Sequence, residues 1–168
     1  MASGKKISYG QSDRQFIEVY SSTIGNNGKP TPLLVFLHGG AWRSGATSDH
    51  YDLAEYISKI SNIAVVLIEY RLSLEDNNVY HPDHINDVYK ALDLIFQQGT
   101  ASQFGYDTSK VIFTGHSAGG YMVNAAALAS DQGQSKYGGP IRNMPKLDES
   151  IRQSIKAFVA VVSEPQKR

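Results

Sequence analysis

At 168 residues, 41% of them hydrophobic, the chain is long enough to bury one sizeable core and too apolar for intrinsic disorder. Sixteen basic and sixteen acidic side chains cancel, which argues against nucleic acid or an anionic membrane as partner. The absence of cysteine excludes disulfides and cysteine nucleophiles, and no apolar run suggests a signal peptide or membrane span, so a cytoplasmic protein is expected.

In chain order, KKISY (Lys5–Tyr9) and QFIEVYS (Gln15–Ser21) are β-rich and predict two short strands. GNNGKPTP, Gly25 to Pro32, is dense in turn formers and predicts a loop. LLVFLH, Leu33 to His38, is a continuous apolar run followed by glycines, the pattern of a strand buried on both faces. SDHYDLAEYISKI predicts a helix with Leu53, Ala54, Ile57 and Ile60 on one face and Ser48 as N-cap. AVVLIEY, Ala64 to Tyr70, predicts a second buried strand. The next helix has Pro82 in its first turn, Ile85, Val88, Leu92, Ile95 and Phe96 in register, and Gly99 as its stop. Val111 to Gly115 predicts a third buried strand, Ala118 to Ala129 a small-residue helix, and Ala157 to Val162 a fourth strand. Ser130 to Lys146, between them, is polar enough for a rim or a cap.

Alternating strands and helices imply βα crossovers, hence a three-layer α/β fold with a mostly parallel sheet, here a single domain over residues 1–168. Ligands on such sheets bind beyond the carboxyl ends of the strands. Both glycine-rich turns, His38-Gly39-Gly40-Ala41-Trp42 and Gly115-His116-Ser117-Ala118-Gly119-Gly120, fall at those ends.

The second turn fits G-x-S-x-G between a predicted strand and a predicted helix. A strand that turns at once into a helix strains its corner residue, and small neighbours at 115 and 119 avoid a clash. Ser117 is therefore the candidate nucleophile, and the Ala118 amide at the helix start a candidate oxyanion donor. In the first turn, the amides of Gly39 and Gly40 are the complementary donors. His38 is read as bracing that loop, and with Trp42 it is a candidate for the substrate site. Trp42 suits an acyl or aryl pocket and equally an ordinary loop contact. No G-x-G-x-x-G or P-loop lysine is present, and the reading calls for no metal and no cofactor.

The two turns together resemble the α/β-hydrolase superfamily. Within it, HGGAW before GHSAGG is similar to the branch of small carboxylesterases and kynurenine formamidases, as is EYRLS, Glu69 to Ser73. The resemblance runs from about Lys5 to Val162. It implies hydrolysis of a small carboxylic ester or amide through an acyl-serine, with Ser117 as nucleophile and Gly39, Gly40 and Ala118 as oxyanion hole.

The chain departs from that pattern after the serine. The superfamily orders its triad Ser, Asp or Glu, His, whereas the five histidines here, at 38, 50, 81, 84 and 116, all precede Ser117. Carboxylates follow at 131, 148, 149 and 164, none just after a further buried strand. The sequence thus reads as a hydrolase lacking its last strands, and its activity is expected to be impaired. A catalytically silent binding protein and a truncated fragment are the alternatives. His81 and His84 are read as solvated imidazoles at a helix start, with no geometric reason to reach the serine. The apolar strand at 157–162 would form an exposed edge, through which a homodimer is expected.

Overall fold

The computed structural model of the protein describes residues 4–24, 28–128 and 145–161. Six strands form one sheet: β1 (Lys5–Ser8), β2 (Phe16–Tyr20), β3 (Thr31–Leu37), β4 (Ala64–Ile68), β5 (Tyr106–His116) and β6 (Ile155–Val161). Their spatial order is β1-β2-β4-β3-β5-β6, with β3, β4, β5 and β6 parallel and β1 and β2 antiparallel. A 3₁₀ turn, Thr47–His50, leads into α1 (Tyr51–Ile60); α2 (Asp83–Phe96), α3 (Gln98–Phe104), α4 (Ala118–Leu128) and α5 (Glu149–Ser154) follow.

The apolar runs explain the layers. Every residue of β4, AVVLI, is buried, as expected of a strand covered on both faces. On one face Leu33, Val35, Leu37, Val66, Ile68, Val111 and Phe113 meet Ile85, Val88, Leu92 and Ile95 of α2 and Met122, Val123 and Ala126 of α4. On the other, Val65 and Leu67 meet Ala54 and Ile57 of α1. Helices therefore lie on both faces, and the architecture is the three-layer α/β fold expected. Chain order reverses between β3 and β5: β4 lies on one side of β3 and β5 on the other. The loops at the carboxyl ends of β3 and β5 are thus neighbours at the switch point of the sheet.

Several local expectations are corrected. Ser48 does not cap α1; Ala46 precedes the 3₁₀ turn, and its N–H donates to Asp49 Oδ2 at 3.0 Å. Leu53 and Ile60 are 51% and 58% exposed, so the buried stripe of α1 is Ala54 and Ser58, with Ile57 beside them. Pro82 stands one residue before α2 rather than within it. That helix ends at Phe96, followed by Gln97 with extended backbone (ψ 132°), and Gly99 lies inside the next helix. Helices α3 and α5 are additions to the expected elements. β3 begins at Thr31, inside the expected loop, and β5 at Tyr106, before the expected Val111. The tail from Ser163, and Ser130–Lys146 apart from residues 145 and 146, lie outside the described residues.

Candidate active site

Ser117 stands where β5 gives way to α4, with φ at +52°. Its N–H donates to Val161 O at 2.8 Å, and its carbonyl accepts from Tyr121 N at 2.9 Å. The corner is thereby clamped between the end of β6 and the first turn of α4, and the serine is exposed above the sheet. Close packing requires small residues here. A Cβ on Gly115 would meet Gly119 C at 2.5 Å, and one on Gly119 would run into the carbonyl oxygens of Leu37 and His38 at the end of β3.

The loop after β3 comes up against this corner. A Cβ on Gly39 would lie 3.1 Å from Ser117 Cβ and 2.9 Å from His116 Nδ1. Gly40 has φ +110°, and the following Ala41 and Trp42 take φ +51° and +59°. Gly40 O accepts from the N–H groups of Arg43 and Ser44, both at 3.0 Å, which closes the turn. Among the described residues no acceptor pairs with the N–H of Gly39, Gly40 or Ala118. Gly39 and Ala118 thus lie beside an exposed serine, with their N–H groups unpaired among the described residues. That arrangement suits an oxygen carrying developing negative charge.

His38 is 1% exposed. It lies beneath the loop. Its Nδ1 is 2.7 Å from Gly39 O, its Nε2 is 3.2 Å from Glu69 Oε1, and Tyr70 stacks on it at 4.3 Å between centroids. Tyr70 OH donates to His38 O at 2.9 Å. Glu69, 2% exposed, also accepts from Arg14 Nη2 and from Thr47 N at 2.9 Å. Burial pushes the Glu69 carboxyl up, but hydrogen bonds from His38 and Thr47 outweigh it and hold the group below the usual carboxylate range. Glu69, Arg14 and Thr47 were not singled out as site residues from the sequence. The available signal was a charged residue ending the apolar run AVVLIEY, since a buried charge must be paired.

Trp42 lines a cleft of about 430 Å³ with Tyr80, His81, His84 and Tyr121. It meets Tyr121 edge-on at 5.5 Å. His81 is exposed as expected, but His84 is only 3% exposed, because it faces Tyr70 and Trp42 rather than solvent. His84 Nε2 lies 3.1 Å from Ser73 Oγ, whose own proton goes to Val79 O at 2.7 Å. Burial holds His84 below the usual histidine range. Among the described residues Ser117 Oγ has no hydrogen-bond partner, and no cluster of three His, Asp or Glu side chains is arranged to hold a metal. No described helix is long and apolar enough to cross a membrane.

Comparison with known proteins decides the family. The BD-FAE family matches residues 18–163, nearly the whole described sheet and both turns. The chain belongs to the BD-FAE family. Its relatives within the α/β-hydrolases include the kynurenine formamidase of Meyerozyma guilliermondii, 35% identical over 124 residues, which span 73% of this chain and 42% of that protein. Neutral cholesterol ester hydrolase 1 of Mus musculus is 32% identical over 127 residues, spanning 74% of this chain and 29% of that one. Carboxylic ester hydrolase LipN of Mycobacterium tuberculosis is 34% identical over 116 residues, 68% and 30% of the two chains. Among solved structures, esterase 2 of Thermogutta terrifontis superposes with a TM-score of 0.70 at 19% identity, covering 96% of this chain and 57% of that one. The BD-FAE chain thus spans less than half of the curated relatives it matches and little more than half of this structural neighbour.

Proposed function

We propose that the chain carries the nucleophile and oxyanion hole of a serine hydrolase for small carboxylic esters or amides. The observation that carries this reading is the juxtaposition of Ser117, strained at a strand-to-helix corner, with Gly39 pressed against it. Ser117 Oγ attacks the carbonyl carbon, its proton passes to solvent water, and the carbonyl oxygen takes the electron pair as the tetrahedral intermediate forms. The amides of Gly39, Gly40 and Ala118 donate to that oxygen. Collapse expels the alcohol or amine with a proton and leaves an acyl-serine, which water then hydrolyses. The cleft beside Trp42 and Tyr121 receives the acyl or leaving group.

The base is the weak point. General-base work needs hydrogen-bond reach of Oγ, and the buried imidazole of the cleft, His84, is committed to Ser73. The 168-residue chain is therefore a slow catalyst on this reading, retaining the part of the rate that an oxyanion hole and binding supply, about 10³–10⁴-fold over water.

Incubation with an activated acetyl ester, followed by peptide mass spectrometry and steady-state turnover, tests both parts. Acetyl groups should accumulate at Ser117 ahead of other serines, while turnover stays near background and changes little in Ser117→Ala. Acetylation spread evenly over the surface serines would overturn the site and leave the silent binding protein. Robust turnover abolished by Ser117→Ala would overturn the impairment and point to an imidazole that reaches Oγ.

A further inference from the structure

Beneath the Gly39–Gly40 turn lies a polar cluster, buried at its centre, around His38 and Glu69. His38 Nδ1 faces the Gly39 carbonyl at 2.7 Å, and a carbonyl has no proton to offer. Its Nε2 faces Glu69 Oε1 at 3.2 Å. That carboxylate already receives Arg14 on Oε1 and the Thr47 N–H, at 2.9 Å, on Oε2, so it too acts only as acceptor. Each ring nitrogen thus faces an oxygen that accepts.

We infer that His38 is a buried imidazolium, ion-paired with Glu69, whose second N–H pins the Gly39 carbonyl away from Ser117 and so turns the following amides toward it. His38 is a positioning residue in this arrangement and touches no substrate. The charged and titratable groups around it are Glu69 and Arg14, the stacked Tyr70, and His50 and His116 on the neighbouring elements. Arg14 widens the device. Its guanidinium also donates to Gly45 O at 2.7 Å and to Tyr70 O at 3.2 Å, tying the segment before β2 to the far end of the same loop. Without that second cation, one carboxylate would be shared between a ring and two Thr47 donors, and the loop would lose its anchor on the N-terminal segment. The consequence for oxyanion binding rests on the serine-hydrolase reading above; the protonation of the ring does not.

Ring ¹⁵N spectra of histidine-labelled protein, at neutral pH, test the inference without any activity. Wild type should show both nitrogens of His38 carrying protons. Glu69→Gln, whose amide can donate to Nε2, should remove one of them and shift the Gly39 and Gly40 amide resonances, with far-UV circular dichroism unchanged. Arg14→Lys should keep both protons, and Arg14→Met should move the Gly45 amide region as well. A bare ring nitrogen on His38 in the wild type would overturn the proposal. So would Gly39 and Gly40 amides that stay still when Glu69→Gln discharges the ring. Absence of acetylation at Ser117, by contrast, would remove the hydrolase reading and leave these spectra as expected.

Discussion

Ser117 holds φ at +52°, a region that costs an L side chain about 1–3 kcal/mol, and it persists because Val161 O and the first turn of α4 fix its two peptide groups. Ser117→Gly should therefore raise unfolding stability by about 1 kcal/mol in urea titrations, whereas Ser117→Ala, which keeps the Cβ, should not gain from this source. Equal stability of the glycine and alanine variants would mean that the corner stores no strain. Glu69 gives the pH dependence at the same scale. Its folded carboxyl lies below the ordinary range, so its stabilisation is complete above about pH 4.3 and is lost as pH falls through the lower folded value. Wild type should therefore lose stability relative to Glu69→Gln on acidification below about pH 4.3, read from melting temperatures across pH. Ser117 and Gly39 were legible in the sequence because their chemistry is written in short motifs. Arg14 was not, because its partner lies 55 positions away and no local pattern announces the pair.

The elements that position the site depend on backbone contact rather than on large side chains. Gly119, in the first turn of α4, faces the carbonyl oxygens at the end of β3, with 2.6 Å separating its would-be Cβ from His38 O. Gly119→Ala must push α4 off β3, and since both partners are backbone the cost should be about 1–3 kcal/mol. It should also weaken acetylation of Ser117, because Ala118 moves with the helix; a denaturation midpoint equal to wild type would contradict the packing argument. The long periodic helix α2 and the apolar strands were readable from the sequence, since burial on known faces enforces their pattern. Helix α3 was not: QGTASQF carries a glycine and few apolar residues, and its start is set by the extended backbone of Gln97. Helix α5 is six residues long, too short for a period, and its signal is the Asp148 side chain accepting from the N–H groups of Ser150 and Ile151. Strand β6 was legible, but not its task of holding Ser117 through Val161.

Across the whole molecule, the two sheet faces are unequal. Among the described residues, α2 and α4 pack on one face, while on the other α1 covers β2, β4 and part of β3. Ile112, Val159 and Val161 are 38%, 43% and 48% exposed on that side, and Phe36 and Leu34 border them. Among the described residues β6 is the outer strand of the sheet, with apolar residues at most positions, whereas the opposite edge β1 carries Lys5 and Lys6. Charged side chains on an edge discourage pairing with another chain, and an apolar edge invites it. The 168-residue chain should accordingly self-associate as its concentration rises, through β6 and the adjoining apolar band. Val159→Lys places a cation at an exposed position opposite Thr114, where its aliphatic stem replaces the valine, so its stability should stay within about 0.5 kcal/mol of wild type. In sedimentation velocity the variant should remain monomeric at concentrations where wild type sediments faster. If lysine at 159 leaves the wild-type sedimentation unchanged, the association uses another surface; if it unfolds the chain, Val159 packs more tightly than its exposure indicates.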